Sequence, residues 1–186
     1  MRKKLRLFLL ALLGMIGSLP LQAQHTYENG ICTDEECTDP YEKPDQEGDW
    51  YILKNVGNVE WFSKQIASGE LTLNAKLDCD IDFQGIENLH SPIGPNTGRK
   101  FNGTFDGQGY TISGIYQKAV DMSVGLFSDT TADCVIQNFS LKNSYFEIAG
   151  GVGTGSIVGK GSGTVRKVYS DALIICTTGQ HAFIGG

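Results

Sequence analysis

No apolar run in this chain is long enough to cross a bilayer. The longest, Leu7 to Leu13 with a weak continuation through Met15 and Ile16, falls well short of the ~20 residues a spanning helix needs. Positive charge is scarce beyond the first 23 residues, where 11 Lys/Arg face 21 Asp/Glu for a net charge of −10. That balance excludes nucleic acid as a partner, because binding phosphate takes basic surface. Catalytic signatures are missing too. There is no Gly-x-Ser-x-Gly elbow, no His-Glu-x-x-His motif and no phosphate loop in the glycine-rich run 150–163. The residues leave an enzyme open without favouring one, and no catalytic residue is assigned.

What is present starts with export. Arg2, Lys3, Lys4 and Arg6 precede the short apolar run, Ser18 and Pro20 break it, and Leu21-Gln22-Ala23 supplies a small residue for cleavage near Ala23 and Gln24. This is the order of a signal peptide over residues 1–23. Residues 24–50 hold nine acids and one lysine, and form an acidic lead segment; residues 51–186, with twelve acids against ten bases, form one body of single-domain size. In Cys32-Thr33-Asp34-Glu35-Glu36-Cys37 the two cysteines are placed to close a small disulfide loop in an oxidising compartment. A metal site is the alternative, with His25 standing alone in sequence. Cys79, Cys134 and Cys176 lie in apolar patterns and are expected as buried small hydrophobes.

The body opens with one helical signal. Val59, Phe62 and Ile66 recur at helical spacing between Asn58, expected as the cap, and Gly69, expected as the stop. From Leu71 to Phe83 the period becomes two, with apolar and polar residues alternating over a length that suggests two strands and a bend. A looser repeat follows. Ile112 and Ile115 recur as Ile136 and Phe139 and again as Val165 and Val168, while Leu126-Phe127 recurs as Ile157-Val158, with Phe183-Ile184 beginning another unit. Short strands and glycine turns at such a period read as a stacked array. A right-handed parallel β-helix is expected, its first coil covered by the helix; a β-sandwich is the alternative. The chain stops mid-unit at Gly186, which suggests that the natural protein continues.

Three stretches carry a family resemblance. Phe101-Asn102-Gly103-Thr104-Phe105-Asp106-Gly107-Gln108-Gly109-Tyr110-Thr111-Ile112 with Val124-Gly125-Leu126-Phe127 and Gly155-Ser156-Ile157-Val158-Gly159 resembles the GLUG-repeat proteins. Ser128 departs from the glycine expected there. The resemblance covers about residues 50–186 and implies a secreted or surface-exposed bacterial β-solenoid with a role in adhesion or binding, the partner being an extracellular glycan or a host or matrix protein. It brings no catalytic residues. The alternative is a carbohydrate-active β-helix enzyme, or the non-catalytic arm of an extracellular hydrolase or peptidase.

Candidate chemistry is sparse. Asp78, Asp80 and Asp82 share one strand face and are a weak Ca²⁺ candidate, since neighbours ~7 Å apart cannot all grip one ion without a bend. The Asp106-Gly107-Gln108-Gly109 loop reads equally as a turn in which the aspartate bonds its own backbone. Tyr110, Tyr116, Tyr145 and Tyr169 could stack on sugars or pack at coil corners.

Overall fold

The computed structural model describes residues 25–95, 98–120, 122–150, 153–178 and 184–185. The expected signal peptide, its cleavage point and Phe183 lie outside these residues.

The acidic lead segment is folded rather than loose. Strands β1 (Tyr27–Glu28) and β2 (Ile31–Cys32) form a hairpin, and β3 (Asp45–Glu47) pairs antiparallel with β4 (Trp50–Leu53). The second hairpin crosses the compositional boundary at residues 50 and 51, so the acidic segment joins the coil stack through hydrogen bonds. The first turns on Asn29-Gly30, with φ of 49° and 75°. Asn-Gly suits a two-residue turn because both positions tolerate positive φ.

Helix α1 runs Val56–Ser68. The expected start at Asn58 is corrected: Asn55 is the cap, and its side-chain oxygen accepts from the Asn58 amide at 2.8 Å. Asn58 instead accepts from the Lys54 amide and donates to the Glu42 carbonyl. Further first-turn amides go to the hairpin: the Gly57 amide donates to the Asn29 carbonyl at 3.0 Å. This contact requires glycine, because a Cβ on Gly57 would lie 1.7 Å from the Gly30 carbonyl oxygen. Gly69 ends the helix with φ of 121°, as its permissive backbone allows.

From here the chain coils. The first coil holds β5 (Asn74–Leu77) and β6 (Ile81–Asp82), separated by the expected bend. The second holds β7 (Thr104–Asp106), β8 (Thr111–Ser113), β9 (Tyr116–Val120) and β10 (Phe127–Asp129). The third holds β11 (Val135–Lys142), β12 (Tyr145–Ala149), β13 (Thr154–Gly155) and β14 (Val158–Lys160). The fourth holds β15 (Thr164–Ser170), β16 (Leu173–Thr178) and β17 (Ile184–Gly185). Each strand pairs in parallel with its counterpart one coil away, as in β4–β5–β7–β11–β15 and β9–β12–β16. This is a parallel β-helix of about three turns, and the sandwich alternative falls because the antiparallel pairing described is confined to the lead hairpins and a bridge between Ile31 and Tyr41.

Part of the repeat reading needs correction. Val165 and Val168 do pair with Ile136 and Phe139, and Phe127 pairs with Val158. Ile112, however, pairs with Leu141, and Ile136 pairs with Phe105. The four-residue Gly107–Tyr110 turn in the second coil, against only Asn138 and Phe139 in the third, displaces the motif. Ile184 pairs with Thr154 rather than Val158.

The interior is joined by phenylalanines. Phe62 of α1 meets Phe101 at 6.0 Å, Phe101 meets Phe127 at 5.1 Å, Phe127 meets Phe105 at 5.3 Å and Phe105 meets Phe139 at 5.5 Å. All five are buried. Such edge and tilted pairs contribute about 0.5–1.5 kcal/mol each beyond the area they bury. Cys134 is buried as expected, whereas Cys79 and Cys176 are half-buried.

Candidate functional site

The outer surface carries an open groove of about 600 Å³ where the second, third and fourth coils turn a shared corner. Gln108, Asn138 and Lys167 line it, and each takes positive φ, at 53°, 60° and 52°. A left-handed residue kinks its strand and re-aims the neighbouring side chains. Its recurrence in three coils therefore produces an extended trough.

A ladder of side chains runs across the coils at this corner. Asp106, Gln137 and Arg166 are register partners on β7, β11 and β15. Gln137 Nε2 donates to Asp106 Oδ2 at 2.7 Å, and Arg166 Nε donates to Gln137 Oε1 at 2.7 Å. Asp106 Oδ1 accepts from Asn138 Nδ2 at 3.0 Å and from the Gln108 amide at 2.9 Å. Burial alone would push the Asp106 carboxyl up, but the Gln108 amide and the side chains of Asn138 and Gln137 outweigh it and hold the group below the usual carboxylate range. The turn in which Asp106 bonds its own backbone is thus present.

Asp106 is the only acid among the lining residues, and its oxygens are engaged. Glycoside hydrolysis uses two carboxyl groups about 5–9.5 Å apart. Ser140 and Gln108 offer polar groups, Lys167 a cation and Tyr169 a ring that is 57% exposed.

The other sequence candidates are scattered. Asp80 Oδ1 accepts from the Thr111 amide at 2.7 Å, Asp82 Oδ1 accepts from the Gln84 amide at 2.9 Å, and Asp78 is exposed at the bend. Asp80 serves a coil-to-coil contact and Asp82 a turn contact, and the three carboxylates do not converge on a shared point among the described residues. Cys32 and Cys37 are disulfide-bonded, with Cα atoms 6.4 Å apart. Tyr116 and Tyr145 stack edge-on at 5.2 Å on the outer face of β9 and β12, with the Lys118 ammonium 5.4 Å from the Tyr116 ring. The Tyr116 hydroxyl and the Glu87 carboxylate raise the Lys118 pKa.

Two polar clusters are assembled only by the fold. Glu60 and His90 are both fully buried, with Oε1 and Nδ1 2.8 Å apart. His90 Nε2 donates to the Leu126 carbonyl at 3.1 Å, and Glu60 Oε2 accepts from the Ser91 amide at 2.8 Å. The pair thereby ties α1 to the first and second coils. Thirty residues separate its members, and only the fold brings them together. The second feature is at the first hairpin, where His25 lies beside the cysteine pair.

The fold is a parallel β-helix with a lateral groove. No family model matches the chain. The chain is similar to halomucin of Haloquadratum walsbyi (strain DSM 16790 / HBSQ001), with 30% identity over 138 residues, covering 68% of this chain and 2% of halomucin. It thus spans a small fraction of that relative's length. No solved structure matches. No helix among the described residues is long and apolar enough to cross a membrane.

Proposed function

We propose that this protein is an exported β-solenoid of the GLUG-repeat kind, held at or released from the cell surface, that binds extracellular glycan along its corner groove. The carrying observation is the groove, which sets the exposed Tyr169 ring beside Lys167, Ser140 and Gln108 across three coils. A saccharide offers apolar ring faces for an aromatic and hydroxyls for the amide, hydroxyl and ammonium groups. The basic, apolar and small-residue order of residues 1–23 supports export, and the likeness to a segment of halomucin supports a surface setting. The single engaged carboxylate favours binding over hydrolysis.

The test is a glycan array probed with the purified protein and with Tyr169→Ala. Binding to at least one glycan class, weakened about tenfold or more in the variant, is expected for loss of one stacking ring at a cost near 1.4 kcal/mol. Absence of binding to any glycan would sink the reading. Binding to immobilised matrix protein unaffected by Tyr169→Ala would place the contact surface elsewhere on the solenoid and overturn the groove assignment.

A further inference from the structure

We propose that the first hairpin holds a redox-gated metal site, in which Cys32, Cys37, His25 and Asp34 bind one thiophilic divalent cation such as Zn²⁺ when the disulfide is reduced. His25 does not stand alone in space. Its Nδ1 is 3.3 Å from Cys37 Sγ, 3.8 Å from Cys32 Sγ and 3.7 Å from Asp34 Oδ2, and Asp34 Oδ2 is 3.7 Å from Cys32 Sγ. Metal–sulfur bonds of ~2.3 Å and metal–nitrogen or metal–oxygen bonds of ~2.0–2.1 Å at tetrahedral angles give ligand-to-ligand edges of ~3.4–3.8 Å. The four distances fall within a few tenths of an ångström of such edges. His25, Cys32 and Cys37 already have ligand atoms within 4.8 Å of one another, and Asp34, which touches His25 and Cys32, needs a small side-chain shift to complete the set. The sulfur–sulfur edge differs, because the sulfurs are bonded to each other.

The hairpin explains the convergence. Tyr27 pairs with Cys32, which leaves His25 two residues further along the same strand face, beside Cys32. The Cys32–Cys37 loop folds back through a Cys37 amide to Asp34 carbonyl bond at 3.3 Å. Asp34 Oδ2 also accepts from the Thr26 amide at 2.9 Å, which fixes the carboxylate. Such a bond to a ligand is the support that orients metal sites. The four-residue spacing between the cysteines is within the range of zinc-binding pairs.

The exchange balances. A dithiol reductant delivers two electrons to the Cys32–Cys37 bond, which breaks to give two thiols while the reductant closes its own disulfide. The cation then displaces one proton from each thiol, binds the two thiolates, and takes His25 Nδ1 and an Asp34 oxygen as its other ligands. Disulfide and metal are thus alternative cross-links of one loop. An oxidising compartment favours the first, and a reducing one with available metal favours the second.

The experiment titrates the purified protein with Zn²⁺ against a chromophoric chelator, and with Co²⁺ for its visible spectrum, before and after phosphine reduction. One Zn²⁺ per reduced chain is expected, together with thiolate-to-cobalt charge transfer and tetrahedral d–d bands; the oxidised chain should show neither. The Cys32→Ser/Cys37→Ser variant should lose the site. His25→Ala, which keeps both cysteines, should weaken Zn²⁺ binding by about tenfold or more, as for loss of one of four ligands. The proposal is overturned if reduced wild type binds Zn²⁺ no tighter than the double-serine variant, since Cys79, Cys134 or Cys176 would then account for any uptake. It is overturned equally if His25→Ala leaves both the affinity and the Co²⁺ spectrum unchanged.

Discussion

At one end of the coil stack Phe62 and Ile66 of α1 are wholly buried; at the other, Val165 is 49% exposed. Val165 occupies the same inward column as Ala75, Phe105 and Ile136. The residue types are alike, and the difference is a neighbour. An inward apolar residue in a solenoid contributes little until the next layer covers it. The covered end draws on more than apolar contact. Helix α1 is held by its Asn55 cap, by the hairpin turn at Asn29-Gly30 and by the buried Glu60–His90 pair.

The comparison breaks most sharply at that pair. Glu60→Ala leaves the buried His90 ring nitrogen and the Ser91 amide without their partner and is expected to cost about 2–3 kcal/mol, because a buried polar group left unpaired is expensive. Urea unfolding would show it as a lower midpoint, and a loss below 1 kcal/mol would mean that the end is held by packing alone. Asp106→Ala, between the two ends, removes three accepted hydrogen bonds and should cost about 1–2 kcal/mol, since groove water can reach the amides left behind. The same site sets a pH dependence. Its carboxyl titrates below its ordinary value in the folded protein, so its contribution is present above the ordinary carboxylate range and is lost as pH falls through the lowered folded value. Acid unfolding followed by circular dichroism should show a shallower loss for Asp106→Ala than for wild type.

Smaller effects sharpen the contrast. Asn55→Ala should cost about 1 kcal/mol, the usual loss of a helix cap, read as a shift in thermal midpoint. Val165→Ala should cost less than ~1 kcal/mol, because its side chain is only half removed from water. A cost as large as that of a buried residue would show that the open end is covered in solution.

How far the residues foretold this depends on the range of the interaction. Alternation from Leu71 to Phe83 and the Ile136/Val165 and Phe127/Val158 correspondences are local patterns repeated, and these were legible. The slip of Ile112 against Ile136 came from the extra turn residues at Gly107–Tyr110, which shift register without altering composition. The helix cap lies three residues earlier than expected, at Asn55 rather than Asn58, because contacts with Glu42 and the Asn29 turn, distant in sequence, fix it there. At the groove, Asp106 and Tyr169 were visible as residues, but the trough they share depends on coils 29 to 31 residues apart falling into register. Cys32 and Cys37 are legible as a pair; His25 joins them only through the hairpin that turns at Asn29-Gly30.

The near-constant repeat has a consequence for assembly. Phe105 and Ile136 are 31 residues apart and Ile136 and Val165 are 29 apart, so each new layer closes a loop of nearly the same length. Closure entropy grows only with the logarithm of loop length, and here it is nearly the same for every layer. The first closure has no template, whereas each later strand adds to an edge already in place. The closure cost thus does not single out any one layer, and the stack is suited to extend coil by coil from wherever a first pair of coils has formed.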